Sequence, residues 1–335
     1  MLNLFLDATI ICASLVALIK GSEWIMRGAV AIAEKIGVSK LVIASTLIAF
    51  GTGLPTIAVN LAFVLLNPCN PTAAVGNALG TNFVNIGLAL GIPAFLLTII
   101  TKYEVFEKEI PIYLGMTAIS TGFALDGSIT PFEGLFILSC YFMTLFIIYQ
   151  YAKREKIKAW DIEQVDVDSS TISETKIAGI SVRKAVFSIV IGITCLIFFS
   201  IVLARMTPVL SKDFGVSEYV LGLSMIGIGT SLPTIVTSIR SARKGYVDIV
   251  LGNVFGGTIA NIALGLGLPA IFCTLKFDSE AISDIYYFNI FNIVVVFGVL
   301  IEMKLLGNKG TLNKVSGIVM VGIYLVYLGS KLLGI

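Results

Sequence analysis

"KIGVSKLVIASTLIAFGTGLPT" at residues 35–56 aligns without a gap on "DFGVSEYVLGLSMIGIGTSLPT" at 213–234, with close to half the positions identical. A second match follows in the same order: "GNALGTNFVNIGLALGIPA" (76–94) on "GNVFGGTIANIALGLGLPA" (252–270). Two matches in one order mean that the chain holds two copies of one unit. The setting is lipid. With 57% hydrophobic and 13% charged residues and a mean hydropathy of +0.97, the chain is too apolar for a soluble globular protein and reads as a polytopic membrane protein.

Apolar stretches long enough to cross the hydrocarbon fall near 3–20, 41–66, 73–100, 110–126, 131–151, 185–206, 216–240, 246–274, 284–303 and 313–333. The first has no preceding basic residue and no small-residue cleavage site, so it reads as a retained span. Residues 21–40 alternate apolar and charged positions at helical spacing and are expected to continue the first helix at an interface. Each copy then has five spans, and an odd number makes the second copy enter from the opposite face. The expected fold is an all-α integral membrane protein of ten transmembrane helices, arranged as two inverted five-helix repeats: 1–151, a linker at 152–184, and 185–335.

Lysine and arginine counts orient the spans. With the N-terminus outside, 19 basic residues lie on the cytoplasmic side, seven of them in the central linker, against four (Arg205, Lys212, Lys276 and Lys331) outside. Both termini are therefore expected outside, with the linker in the cytoplasm as a solvated tether. The five cysteines lack CxxC spacing and read as small core residues, without a disulfide frame or a metal cluster.

"GTGLPT" (51–56) and "GTSLPT" (229–234) put a helix breaker at the depth where backbone is hardest to satisfy. Pro55 and Pro233 have no N–H, and their rings clash with the carbonyls of Gly51 and Gly229, so the second and seventh helices are expected to break there. Thr52 and Thr56, and likewise Thr230 and Thr234, stand one turn apart and present hydroxyls beside each break. In the third helix Asn77, Thr81 and Asn85 recur every four residues, as Asn253, Gly257 and Asn261 do in the eighth. Threonine often bonds its own helix, and asparagine or GxxxG can simply join helices. Helix packing alone does not account for two matched proline sites, each followed by an asparagine stripe.

The pattern "GT[GS]LP" followed by "GN-x-x-G-x-x-x-x-N", duplicated in antiparallel halves, resembles the sodium/calcium exchanger family of the calcium/cation antiporter superfamily. "GSEW", the "GVS" before each proline motif and Asp126-Gly127 add to the resemblance. It implies a ten-helix fold in which the second, third, seventh and eighth helices line the ions. Two long tilted helices slide for alternating access, and sodium exchanges for calcium. The candidate cation ligands are then Ala49, Thr52, Thr56, Thr81, Asn85, Gly227, Thr230, Ser231, Thr234 and Asn261.

The sequence departs from the family at the positions that matter most. Each "GTSLP" is normally followed by glutamate, and the later stripe often holds aspartate; here those positions are Thr56, Thr234, Asn85 and Asn261. Asp7, Glu23, Asp126, Asp248 and Glu302 fall near span ends, so no carboxylate is expected at mid-membrane. Tight calcium sites usually need several carboxylates, so neutral oxygens point to a monovalent cation such as sodium, with calcium bound weakly. The expected partners are small cations and the lipid bilayer, with no nucleic acid, no cofactor and a monomeric transport unit. A sodium-coupled carrier of a neutral or organic solute, or a member that has lost transport, are the alternatives. No nucleophile–base pair, metal cluster or phosphate loop suggests an enzyme.

Overall fold

The computed structural model describes residues 2–35, 49–66, 71–97, 99–101, 103–156, 181–245, 247–305 and 310–333. Each expected span meets a helix among these residues. In chain order they are α1 (Leu2–Lys35), α2 (Ala49–Leu66), α3 (Pro71–Leu96), α4 (Tyr103–Ala124), α5 (Pro131–Lys156), α6 (Val182–Phe214), α7 (Glu218–Arg243), α8 (247–272), α9 (Ser279–Leu305) and α10 (Lys314–Leu333). Seven are long and apolar enough to cross a membrane unaided; α2, α4 and α5 carry shorter apolar stretches at Phe50–Leu66, Ile110–Ala124 and Pro131–Ile147. The start of the expected second span, 41–48, and most of the linker, 157–180, lie outside the described residues. The helices reach into both ends of that linker: 152–156 belong to α5 and 182–184 to α6.

The polar second half of α1 continues the first helix, as its spacing predicts. At 34 residues α1 is about 51 Å long at a rise of ~1.5 Å per residue, well beyond the hydrocarbon thickness. Charges on it pair along one face, Lys20 with Glu23 at 3.0 Å and Arg27 with Glu23 at 3.6 Å. Its neighbour α6 has 33 residues and ends at Gly215, whose φ of 66° caps the helix in the left-handed region. The two touch through glycine: a Cβ on Gly192 would stand 2.6 Å from the Gly21 carbonyl oxygen.

Two short antiparallel strand pairs tie the halves together. β1 (Ile99–Thr101), after α3, pairs with β4 (Gly310–Leu312), which precedes α10; β3 (Leu275–Lys276), after α8, pairs with β2 (Ser128–Ile129), which precedes α5. The tail of the third helix in each repeat thus pairs with the loop between the fourth and fifth helices of the other, as a two-fold relation requires.

The centre belongs to α3, α7 and α8, whose spans are 78%, 67% and 83% buried inside the protein, against 22% for α6 and 17% for α10. The seam between α3 and α7 has no room for side chains. A Cβ on Gly76 would lie 2.2 Å from the Tyr219 carbonyl oxygen, one on Gly80 2.0 Å from that of Leu223, and one on Gly222 2.5 Å from that of Ala73. Small-residue spacing allows main chain to lie on main chain here, which is how helices gain contact in lipid.

The proline motifs behave differently from expectation. Pro55 lies inside α2 and Pro233 inside the α-helical stretch Gly227–Arg243, with no interruption at Gly51 or Gly229. The irregularity lies elsewhere, in π-helical turns at Asn85–Leu90, Gly222–Ile226, Gly252–Gly256 and Asn261–Gly267. A proline removes one N–H, and local adjustment can absorb that loss. In α7 a π turn runs directly into Gly227. Thr230 and Ser231 donate their hydroxyls to the Ile226 and Gly227 carbonyls at 3.0 and 2.7 Å.

Gly80→Ala is expected to lower the thermal midpoint of the detergent-solubilised protein sharply, because the new methyl meets rigid backbone, an overpacking penalty of about 1–3 kcal/mol or more. Gly115→Ala in α4, where a Cβ meets nothing within 4 Å, is the control and should leave the midpoint level or slightly raised.

Candidate functional site

At the crossing of α2, α3, α7 and α8 the structure gathers uncharged polar side chains, nearly all fully buried. Thr52, Thr56, Thr81, Asn85, Thr230, Ser231, Thr234 and Asn261 are each at most 4% exposed. Ala49 opens α2, and Gly227 follows the π turn of α7. The hydrogen bonds repeat across the pseudo-two-fold. Thr230 Oγ1 lies 3.2 Å from Asn77 Oδ1, sharing its one proton between that oxygen and the Ile226 carbonyl, and its counterpart Thr52 Oγ1 donates to Asn253 Oδ1 at 3.1 Å. Asn77 Nδ2 donates to Asn60 Oδ1 at 2.7 Å, and Asn253 Nδ2 to Ser238 Oγ at 3.1 Å. Asn85 Nδ2 reaches Thr258 Oγ1 at 3.3 Å, while Asn261 Nδ2 reaches Asn82 Oδ1 at 2.7 Å. Each pair of partners occupies aligned positions in the two repeats.

The symmetry fails at one position. Thr81 Oγ1 stands 3.5 Å from Thr56 Oγ1 and 3.3 Å from Thr230 Oγ1, a row of three hydroxyls joining α2, α3 and α7. Its counterpart is Gly257, which has no hydroxyl to offer.

Most of these groups serve one another. Asn60 Nδ2 donates to the Gly265 carbonyl at 2.7 Å, Asn253 Nδ2 to that of Thr234 at 3.2 Å and Asn261 Nδ2 to that of Ala78 at 2.8 Å. Two acceptors are left over. Asn85 Oδ1 and Asn261 Oδ1 are buried without a hydrogen-bond partner, at equivalent places in the two halves. A buried unsatisfied acceptor costs about 1–3 kcal/mol, a cost that a positively polarised group beside either oxygen would relieve.

Asn60, Asn82, Ser238 and Thr258 were not expected here. Asn60 and Ser238 sit one turn beyond Thr56 and Thr234, so extending the four-residue spacing by one step would have found them. Asp284 was also missed. The expected ninth span began at 284 and made Asp284 a boundary residue, whereas α9 begins at Ser279 and places this carboxylate, 0% exposed, in its second turn. It is held by Lys331 Nζ of α10 at 2.7 Å and by the Tyr219 hydroxyl at 2.7 Å. Tyr219 opens α7, eleven residues and therefore about 16 Å before Thr230 at ~1.5 Å per residue, so the ion pair ties α9 and α10 to the end of α7 and stays away from the polar crossing.

Cysteine corrects a further expectation: Cys273, just past α8, is disulfide-bonded, while Cys12, Cys140 and Cys195 are free thiols. It lies half-buried one residue past the end of α8, outside the apolar span where a thiol would only have packed.

Two matched helical halves around a buried polar crossing are the architecture of many secondary transporters. Comparison places it further. Residues 7–150 and 184–333 match the family described as sodium/calcium exchanger protein. The inner membrane protein YrbG of Escherichia coli K12 is 30% identical over 84% of this chain and 85% of its own, and the putative antiporter CaxA of Alkalimonas amylolytica is 28% identical over 96% and 98%. The fold is also that of the sodium-calcium exchanger NCX_Mj soaked with 2.5 mM sodium and 10 mM strontium, with a TM-score of 0.60, 24% identity, and 98% and 99% coverage of the two chains. The chain belongs to the sodium/calcium exchanger protein family, and is thus a membrane antiporter for cations and not an enzyme.

Lys331→Met should be strongly destabilising, by about 3–5 kcal/mol, since it strands a buried carboxylate. Adding Asp284→Leu to Lys331→Met should recover part of the loss, measured by thermal unfolding of the two purified variants.

Proposed function

We propose that the chain is a secondary cation antiporter that works by alternating access at the α2, α3, α7 and α8 crossing. The site holds a monovalent cation, with sodium favoured, on neutral oxygens, and binds calcium only weakly. The observation that carries this reading is the matched pair of unpartnered buried acceptors, Asn85 Oδ1 and Asn261 Oδ1. The amide nitrogens of Asn60, Asn77, Asn85, Asn253 and Asn261 all donate to protein oxygens. The side-chain atoms at the crossing left with no partner are thus both acceptors, which suits a cation better than a solute that offers acceptors of its own.

The weak hold on calcium follows from charge. A divalent ion is costly to desolvate and draws on carboxylates for its affinity. At ~4 Å and an effective dielectric near 20, each missing carboxylate removes an attraction of several kcal/mol from a divalent ion. Thr56, Thr234, Asn85 and Asn261 offer only dipoles. The one fully buried carboxylate among the described residues, Asp284, is engaged by Lys331 and Tyr219.

The unit transports as a monomer in the cell membrane, with both termini outside and the 152–184 linker in the cytoplasm. The 19-to-4 distribution of basic residues supports this sidedness. The disulfide at Cys273 supports it too, since disulfides persist in oxidising compartments and this reading has α8 end outside.

In proteoliposomes, radioactive sodium should show counterflow while calcium shows little; calcium counterflow matching that of sodium would overturn the ion choice. Thr56→Glu combined with Thr234→Glu should raise calcium affinity by at least about tenfold, each restored charge being worth several kcal/mol before its own desolvation is subtracted. Isothermal titration checks it, and no gain would mean these positions do not face the ion.

A further inference from the structure

We propose that Thr258 and Asn82 are positioning residues of the cation site, each turning the asparagine amide of the opposite repeat so that its carbonyl oxygen stays free, and that Asn85, the one Thr258 holds, is the adjustable ligand. The inference rests on the site reading above and asks what fixes the direction of the two unpartnered oxygens.

An amide can face a neighbour with either end, and only the neighbour's chemistry decides which. The Thr258 hydroxyl donates its single proton to the Val254 carbonyl of its own helix at 2.8 Å. Toward Asn85 it can only accept, so the Nδ2 end must face it, at 3.3 Å, and Oδ1 must face away. On the other side the acceptors are Asn82 Oδ1 and the Ala78 carbonyl, 2.7 and 2.8 Å from Asn261 Nδ2. The Ala78 carbonyl can only accept, so Asn261 Nδ2 must face it, Asn82 turns its own oxygen to the same nitrogen, and Asn261 Oδ1 is likewise turned away. The two bonds cross between repeats: α3 orients a ligand of α8, and α8 orients a ligand of α3. Neither half can set its own oxygen.

The two holds differ in strength. Asn261 has two short bonds, and its Oδ1 lies so close over Gly265 that a Cβ there would be 2.1 Å away. Its amide has nowhere to turn. Asn85 has one longer bond, and beside it Gly257 leaves open space, since a Cβ built there meets nothing nearer than Asn85 Nδ2 at 3.9 Å. Removing the Thr258 hydroxyl therefore frees the Asn85 amide to rotate. Removing the Asn82 acceptor leaves Asn261 still held by Ala78.

This predicts opposite orders for affinity and stability, which a purely structural role does not. The purified full chain is titrated with sodium chloride against choline chloride at constant ionic strength, and its thermal midpoint is followed. Thr258→Val should raise the half-saturating sodium concentration about tenfold, and Thr258→Ser should return it to within about twofold of the wild type, a single-ligand effect in affinity. Asn82→Leu should shift sodium half-saturation less than Thr258→Val does, yet lower the midpoint in choline more. Thr258→Ala is read in the same way if Thr258→Val does not fold. Unchanged sodium affinity in Thr258→Val, no rescue by Thr258→Ser, or a larger affinity loss in Asn82→Leu would each overturn the assignment. Asn85→Ala separates the two levels. If it abolishes the sodium response while Thr258→Val leaves it intact, the positioning role falls and the site stands; if neither changes the response, the site falls and the positioning role with it.

Discussion

A polar atom buried in the hydrocarbon has no water to fall back on, and in this chain four hydrogen bonds at the crossing run across the pseudo-two-fold. Thr230 bonds Asn77, Thr52 bonds Asn253, Asn85 bonds Thr258 and Asn261 bonds Asn82, each time from one repeat to the other. Some of these groups also have partners in their own repeat, as Asn77 has in Asn60 and Asn253 in Ser238, but the cross-repeat bonds make the crossing hold the halves in register as well as form the candidate site. Its energy comes from the penalty of leaving such groups unpaired in lipid, which exceeds the modest net gain of a bond formed in exchange for water.

That network needs close helices, and glycine supplies the closeness. With the α3 and α7 main chains in contact through Gly76, Gly80 and Gly222, short side chains such as Thr81 and Thr230 can meet across the seam. Any Cβ there would push them beyond hydrogen-bond reach. The π turns that begin at Asn85 and Asn261 coincide with the two asparagines whose oxygens are unpartnered. A widened turn is a common way for a helix to aim a functional side chain that regular spacing would point elsewhere. The ion pair of Asp284 and Lys331 belongs to a different task, fastening the outer helices α9 and α10 to the end of α7.

Much of this was legible in the sequence. The repeat, the inverted architecture and the threonine and asparagine positions all follow from one alignment and from counting apolar stretches, because lipid imposes length and composition on any span. The proline motifs misled in detail. "GTGLPT" and "GTSLPT" mark the right place, but a missing N–H is a local deficit that a helix can absorb, so the distortion moved to π turns that no breaker residue announces. Asp284 was hidden for a similar reason: span edges read from hydropathy are uncertain by a turn, and a charge near an edge reads as solvated until its partner is seen.

The sequence by itself determined that the chain is a membrane protein of two matched halves and which polar residues each half brings to the crossing, because spacing along one helix is a one-dimensional property. Which amide end meets a partner, which oxygens are left without one, and that α8 holds Asn85 of α3 while α3 holds Asn261 of α8 were decided only by the tertiary structure. Those facts depend on atoms about 180 residues apart in sequence meeting at 2.7 to 3.3 Å, and pairing at that distance is set by how whole helices cross.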